Sequence, residues 1–386
     1  MQYDFDTVYN RTGTGCYKAD ALDMLFGTRD VLSLWVADMD FGIAPEILQA
    51  MQERLTHPIF GYNYRLQPYY EAIINWVDRR YGWQIDKDWI VNVPGVVTAI
   101  NAAILVFTNP GDKILIQPPV YEQFYEAVHN NKRCLVTNPL KLKGQQYEID
   151  FADLDQKLKD VKMFILCSPH NPVGRVWTRD ELLQIGRLCK KHGVLVIADE
   201  IHADLVFQGQ VHLPFAALED FAEFTIACYS PSKSFNLAGL CNSAIVIPGE
   251  SIRSTYREFI FNLHLYLGNT LGITALQAAY SKGEAWLEAL MAYLNRNRTY
   301  LMDIFKSNKT GIIVIPPQAT FLVWLDFRQT GLADEIIKHK LLYEAKVALN
   351  SGIQYGDEGR GFVRFNFASP LSVIKQACEQ INRAFS

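Results

Sequence analysis

The sequence is short of several things that would otherwise decide its class. Its seven cysteines (Cys16, Cys134, Cys167, Cys189, Cys228, Cys241 and Cys378) form no CxxC pair, so neither a disulfide framework nor a metal site is expected. Several sit inside apolar runs, where a cysteine behaves as a small hydrophobe. The odd count and wide spacing fit a reducing, cytoplasmic setting. No segment forms a basic block, and 37 Lys+Arg against 41 Asp+Glu leave a net charge of −4; a nucleic-acid partner held through phosphate contacts is not expected. No apolar run approaches the length that spans a bilayer. The opening MQYDFDTVYN has neither the basic nor the apolar part of a secretory signal. Internal repeats and low-complexity stretches are also missing.

What is present is apolar material: 49% of the 386 residues are hydrophobic, enough to bury a large core without staples. Length suggests two or three domains. Short apolar runs at residues 113–117, 163–167, 194–198, 224–229 and 243–247 read as buried parallel strands. Between them lie segments with helical spacing, such as 97–107 and 179–192, the latter closed by Gly193. This alternation predicts an α/β fold with a mostly parallel, doubly wound sheet. After about residue 283 the texture changes. A long amphipathic helix at 284–306 precedes strands near 312–315, 321–325 and 362–367 and helices near 333–345 and 373–385. The expected organisation is an N-terminal arm (1–45), a large domain (46–283) and a smaller α+β domain (284–386).

Four segments carry candidate chemistry, each at a predicted strand end or helix start, where open α/β sheets bind ligands. In SPSKSFN (230–236), Lys233 becomes a nucleophile toward aldehydes if its ammonium is desolvated; its ordinary reading is a surface lysine in a Ser-rich loop. In ADEIHAD (198–204), Asp199 can pair with a buried cation and His202 can reach the same ligand; the plainer readings are a helix cap and a satisfied histidine. SPHNPVG (168–174) is a rigid turn in which Asn171 offers both a donor and an acceptor, with only about 5–6% of X–Pro bonds such as Asn171–Pro172 expected cis. PGVVT (94–98) opens a helix whose free N–H groups favour an anion, phosphate above all. Tyr121 in PPVY and Tyr62 in FGY are aromatic candidates, although an isolated tyrosine is more often core. Arg364, between apolar residues in VRFNF, requires a partner: a substrate carboxylate or a protein one.

The order PGVVTA, PPVY, SPHNPVG, ADEIH, SPSKSFN and VRFNFA resembles the aminotransferase-like pyridoxal-phosphate enzymes of fold type I, from about residue 30 to the C-terminus. WVADMDF (35–41), FGY (60–62), ADEIH and SPSKSFNLAGL narrow the resemblance to the cystathionine β-lyase (C–S lyase) branch often called MalY/PatB. The resemblance implies pyridoxal 5′-phosphate as cofactor and a cytoplasmic homodimer with no metal. It also implies roles. Lys233 would carry the cofactor as a Schiff base, and Asp199 would keep its ring nitrogen protonated. His202 and Asn171 would sit near the ring 3′-oxygen, and Tyr121 would stack on the ring. Val96, Val97, Ser230 and Ser232 would surround the phosphate, with Tyr62 supplied by the other subunit. Arg364, assisted by Asn171, would grip the substrate α-carboxylate, and Asp38 in the arm is a further candidate for substrate contact. Where many aminotransferases carry a phosphate-binding arginine, eight residues after the lysine, this chain has Cys241, and His202 stands where a tyrosine is common. The implied reaction is β-elimination on cystathionine, cysteine or related S-conjugates, giving a thiol, pyruvate and ammonia. Transamination uses the same residues, and a regulatory protein on the same scaffold is the third alternative.

Overall fold

A computed structural model describes residues 3–306 and 310–386. Its centre is a seven-stranded sheet built from β1 (Ile90–Val93), β2 (Lys113–Ile116), β3 (Cys134–Thr137), β4 (Val161–Cys167), β5 (Leu195–Asp199), β6 (Thr225–Tyr229) and β7 (Ser243–Val246), in the order β1-β7-β6-β5-β4-β2-β3. Side chains alternate across it. Ile114, Met163, Ile165, Ile197 and Ile226 pack under the helices Val96–Phe107, Glu122–Asn130 and Glu250–Asn262. Leu115, Phe164, Leu166 and Val196 pack with the helices Phe151–Leu158 and Arg179–His192 on the other face. Both faces are covered, which is why the strands read as continuous apolar runs rather than as alternating ones.

The helix Arg179–His192 shows how local sequence sets the boundaries. Thr178 and Glu181 form a capping box at its start, and Gly193 ends it with φ 67°, a left-handed conformation that glycine adopts without a Cβ penalty. Two turns inside, a Cβ on Gly186 would lie 2.0 Å from the Phe221 ring, so the helix approaches that ring more closely than any other residue would allow.

The second unit of structure is a four-stranded antiparallel sheet of β8 (Ile313–Ile315), β9 (Leu322–Asp326), β10 (Asn350–Ser351) and β11 (Phe362–Asn366), in the order β8-β9-β11-β10. The helices Glu284–Lys306 and Leu371–Phe385 pack with it. The N-terminal arm joins this unit. Leu32–Ser33 runs parallel to Val347–Ala348, and Trp35 packs with Leu342 and Ala348.

The expected elements are present with three departures. The run at 243–247 is a strand, but it is antiparallel to both neighbours. β1 and β3 were not foreseen: Asn92 interrupts the first, and β3 is a half-exposed edge. The expected helix at 333–345 is a short α-helix, Asp334–His339, that passes into a π-turn, Lys340–Glu344. The arm contains two short helices, Tyr17–Asp20 and Leu22–Phe26. The Asn171–Pro172 bond is cis. Among the described residues, no helix is long and apolar enough to cross a membrane.

Gly186→Ala should destabilise the protein by about 1–3 kcal/mol, because Phe221 is fully buried and stacked on Phe215 and cannot retreat. Helix propensity alone would predict a gain of about 1 kcal/mol. Denaturant titration of the two proteins decides the sign.

Candidate active site

β7 explains where the site lies. β1, β6, β5 and β4 all end at the same edge of the sheet, and the antiparallel β7 begins there, with Ser243 opposite Val93. Residues that follow the parallel strands and residues that precede β7 therefore converge on one cleft of about 800 Å³. This is the strand-end position that open α/β sheets use for ligands.

One end of the cleft is built for an anion. The helix Val96–Phe107 starts there from Gly95, and no side chain caps it, so the N–H groups of its first turn face the cleft mouth unpaired. Ser230, Ser232, Cys241 and Ser243 complete this end. Ser230 Oγ accepts from Ser232 N and donates to Asn242 O, whereas the buried Ser243 Oγ has no partner among the described residues. Cys241, exposed and with φ 46°, leaves this end without an arginine.

The other end holds the ionisable groups. Lys233 lies in the short helix Pro231–Ser234 that follows β6. Its Nζ donates to Ala37 O at 2.7 Å, and no carboxylate among the described residues lies within ion-pairing distance. Desolvation, reinforced by the Arg364 charge, pushes it down to about 8, so a useful fraction of the amine is neutral near neutral pH. Asp199, the last residue of β5, is pushed up to about 7 by burial, with the Ile201 N–H and the Lys233 charge pulling the other way. His202 is kept neutral by burial beside two cations, and its Nδ1 has no partner among the described residues. Tyr121, at the N-terminus of the helix Glu122–Asn130, and Asn171 line the same cleft; burial raises the Tyr121 phenol.

Arg364 stands at the centre of β11, only 2% exposed. It donates to Asn171 Oδ1 at 3.3 Å and to Trp35 O at 2.8 Å, and it lies over the Tyr355 ring. Among the described residues its Nε has no partner, and no carboxylate pairs with it. A buried guanidinium left in this state has capacity for a bidentate carboxylate from outside the chain.

The structure thus brings together Lys233, Asp199, His202, Asn171, Tyr121, Val96, Val97, Ser230 and Ser232, with Arg364 behind Asn171. Two expected residues stand elsewhere. Asp38 is turned to the arm, where Arg11 holds it in a two-pronged contact and Lys18 lies at 3.4 Å. Burial would raise its carboxyl, but those two cations outweigh burial and hold it below the usual range. Tyr62 is 94% exposed on an irregular segment. Sequence reasoning missed Ser243 and the carbonyl of Ala37. Ser243 was hidden by the parallel reading of its strand, which would place its first residue at the far edge of the sheet. A backbone carbonyl leaves no side-chain signal.

The model of the family "Aminotransferase class I and II" matches residues 29–381. The chain belongs to that family. Among its relatives, the cystathionine β-lyase PatB of Bacillus subtilis (strain 168) is 42% identical over 386 residues, covering 99% of this chain and 100% of the relative. A pyridoxal-phosphate-containing cystalysin from Treponema denticola has a TM-score of 0.97 at 34% identity, covering 100% of this chain and 99% of that one. A pyridoxal-phosphate-bound C–S lyase from Staphylococcus hominis has a TM-score of 0.93 at 34% identity, covering 100% and 98%. The fold is accordingly the aminotransferase-like type I fold. The matched span includes every element that lines the cleft of this aminotransferase-family chain.

Asp199 gives a test of the site's electrostatics without any ligand. Its folded pKa is raised, so its contribution to stability is present below the usual carboxylate range and is lost as pH climbs toward about 7. In the ligand-free protein, the melting temperature of wild type relative to Asp199→Asn should fall between about pH 4 and pH 7. A difference that stays flat across that window contradicts the assignment.

Proposed function

We infer that the protein is a pyridoxal-phosphate-dependent C–S lyase. The observation that carries the reading is the enclosed Lys233 amine, held by a carbonyl and not by a carboxylate, beside Asp199. The fit to the cofactor rests on groups that need a ligand. The uncapped helix start at Val96 and Val97, the orphaned Ser243 Oγ, and Ser230 and Ser232 would take the phosphate. Asp199 would take the protonated ring nitrogen, with Tyr121 against the ring and Asn171 and His202 near its oxygen. Tyr62 of a second copy would complete the phosphate end. Cys241 leaves that phosphate to backbone amides and hydroxyls.

When bound, pyridoxal phosphate supplies a carbonyl that joins to an amine and a ring that draws negative charge from the substrate Cα. The chain supplies the rest. Lys233 would hold the cofactor, and its amine, once free and neutral, would take the Cα proton. Asp199 would be ionised against the ring nitrogen and would keep that ring electron-poor. Arg364 and Asn171 bind the substrate carboxylate and so fix the amino acid by one end. With a thioether or thiol sulfur on Cβ, the C–S bond would break with its electron pair leaving on sulfur as a thiolate, and the enamine product would take up water to give pyruvate and ammonia. The identity to PatB and the likeness to the Staphylococcus hominis lyase support elimination over transamination, with cystathionine, cysteine and related S-conjugates as substrates.

We also propose a cytoplasmic homodimer. Seven unpaired thiols fit a reducing compartment. The exposed Ile59, Phe60, Tyr62, Tyr64 and Leu66 form an apolar stretch of the kind that a subunit contact covers. The division into an arm (1–45), a large domain (46–283) and a small domain (284–386) is supported by the separation of the two sheets along the chain.

Purified protein should release pyruvate from cystathionine without added keto acid; strict dependence on a keto acid overturns the lyase reading. Lys233→Ala should abolish release. Arg364→Lys should lower kcat/KM by about one to two orders of magnitude, mostly through KM, because the two-pronged grip is lost.

A further inference from the structure

The segment 35–41 touches every functional cation of the site through its backbone. Trp35 O accepts from Arg364 and Ala37 O accepts from Lys233 Nζ. These two residues belong to different sheets' surroundings: Lys233 follows β6, and Arg364 is in β11. The segment between them has no regular structure of its own, so something else must hold it.

Two asparagines do so, one from each side. Asn366 is two residues beyond Arg364 on β11 and therefore on the same face of the strand. Its Nδ2 donates to Val36 O at 2.5 Å and to Asp38 O at 2.6 Å, and its Oδ1 accepts from Ala368 N. Its own N–H donates to Leu34 O. Asn236 is three residues beyond Lys233 and has φ 57°, a left-handed conformation that asparagine tolerates better than most residues. Its Oδ1 accepts from Met39 N, and its Nδ2 donates to Met39 O at 3.0 Å and to Phe41 O at 3.1 Å. Asn366 thus grips the carbonyls on either side of Ala37, and Asn236 grips the segment just beyond. The two carboxylates of the segment, Asp38 and Asp40, face outward to Arg11 and the buried Lys18 and tie the arm down.

We propose that Asn236 and Asn366 are positioning residues that staple segment 35–41 between the two sheets, so that its carbonyls at 35 and 37 hold Arg364 and the free amine of Lys233 at their working positions. Each cation then has an asparagine companion a fixed distance along its own motif, K-x-x-N and R-x-N. The consequence is coupling. A substrate carboxylate that engages Arg364 competes with Trp35 O, and the amine of Lys233, when released, has Ala37 O waiting for it. Both events act on one segment. The proposal rests on the function inferred above.

The test uses Asn366→Asp and Asn236→Asp, which keep shape and the acceptor oxygen but turn a second oxygen toward two carbonyls. Affinity for L-alanine, which has no leaving group at Cβ, is read from the absorbance of the cofactor in the holoenzyme. Trypsin cleavage after Arg11 and Lys18 is read in the cofactor-free protein. Each variant should weaken alanine binding by about tenfold or more and speed cleavage of the arm. The double variant should be within about threefold of the worse single one, because both staples hold the same segment. Unchanged alanine affinity in both single variants overturns the proposal, whatever the cleavage rate. Losses that add in the double variant, as two unrelated structural faults would, also overturn it. If wild type releases no pyruvate, the lyase reading falls, while alanine binding and arm cleavage still decide the role of the staples.

Discussion

Removing a cation from water without giving it an anion is costly, and the structure is organised around two such cations. Arg364 is fully buried, and Lys233 is half-buried at the cleft wall. Neither has a carboxylate partner among the described residues, and each is held by a backbone carbonyl. Arg133 is also buried without a carboxylate among the described residues, but its Nε and both terminal nitrogens donate to the Thr108 hydroxyl and to the carbonyls of Ile104, Thr108 and Asn131. Two other buried cations are paired in the usual way. Lys18 meets Asp38 and Asp40, and Arg175 meets Glu181. The contrast marks where the chain keeps capacity for charge that it does not itself carry: a carbonyl satisfies a donor without neutralising it.

The surrounding layers make that state tolerable. Asp199 sits at the end of β5 with one backbone N–H for company, so its charge too is left for a ligand to settle. Beneath the Lys233 turn, Ser234 donates to Asp204, which also accepts from Trp76 and Tyr81. Asp204 belongs to the same segment as Asp199, and its hydrogen bonds fasten that segment to the turn that carries the lysine. The reactive groups are therefore fixed from behind by fully satisfied polar contacts, while their front faces stay unsatisfied.

Much of this was legible in the sequence, and the exceptions have physical causes. Long apolar runs flanked by turn residues announced β4, β5 and β6, and the capping box with Gly193 announced the helix Arg179–His192. Strand ends placed Asp199, Asn171 and Lys233 in one crevice. Arg364 was legible as an arginine in need of a partner, and the absence of a protein carboxylate beside it was not. Direction was illegible in β7, because a strand buried on both faces reads the same either way along the chain, and Ser243 was lost with it. The roles of Asn236 and Asn366 were invisible for a different reason: what they hold is main chain, and main chain has no letter in the sequence. Asp38 sits on the arm, where position depends on long-range contacts such as those with Arg11 and Lys18 rather than on local pattern.

The antiparallel β7 also orders the making of the protein. β1 has one neighbour in the sheet, and that neighbour is β7. A ribosome delivers β1 long before residues 243–246 emerge, so an apolar strand with no partner must wait while β2 to β6 are synthesised. The helix that offers its N-terminus to the anion follows β1 directly, and Ser243 opens β7. The end of the cleft formed by Val96, Val97 and Ser243 can close only when the last strand of the sheet threads between the first and β6. The nascent chain is most exposed to wrong edge pairing during that interval.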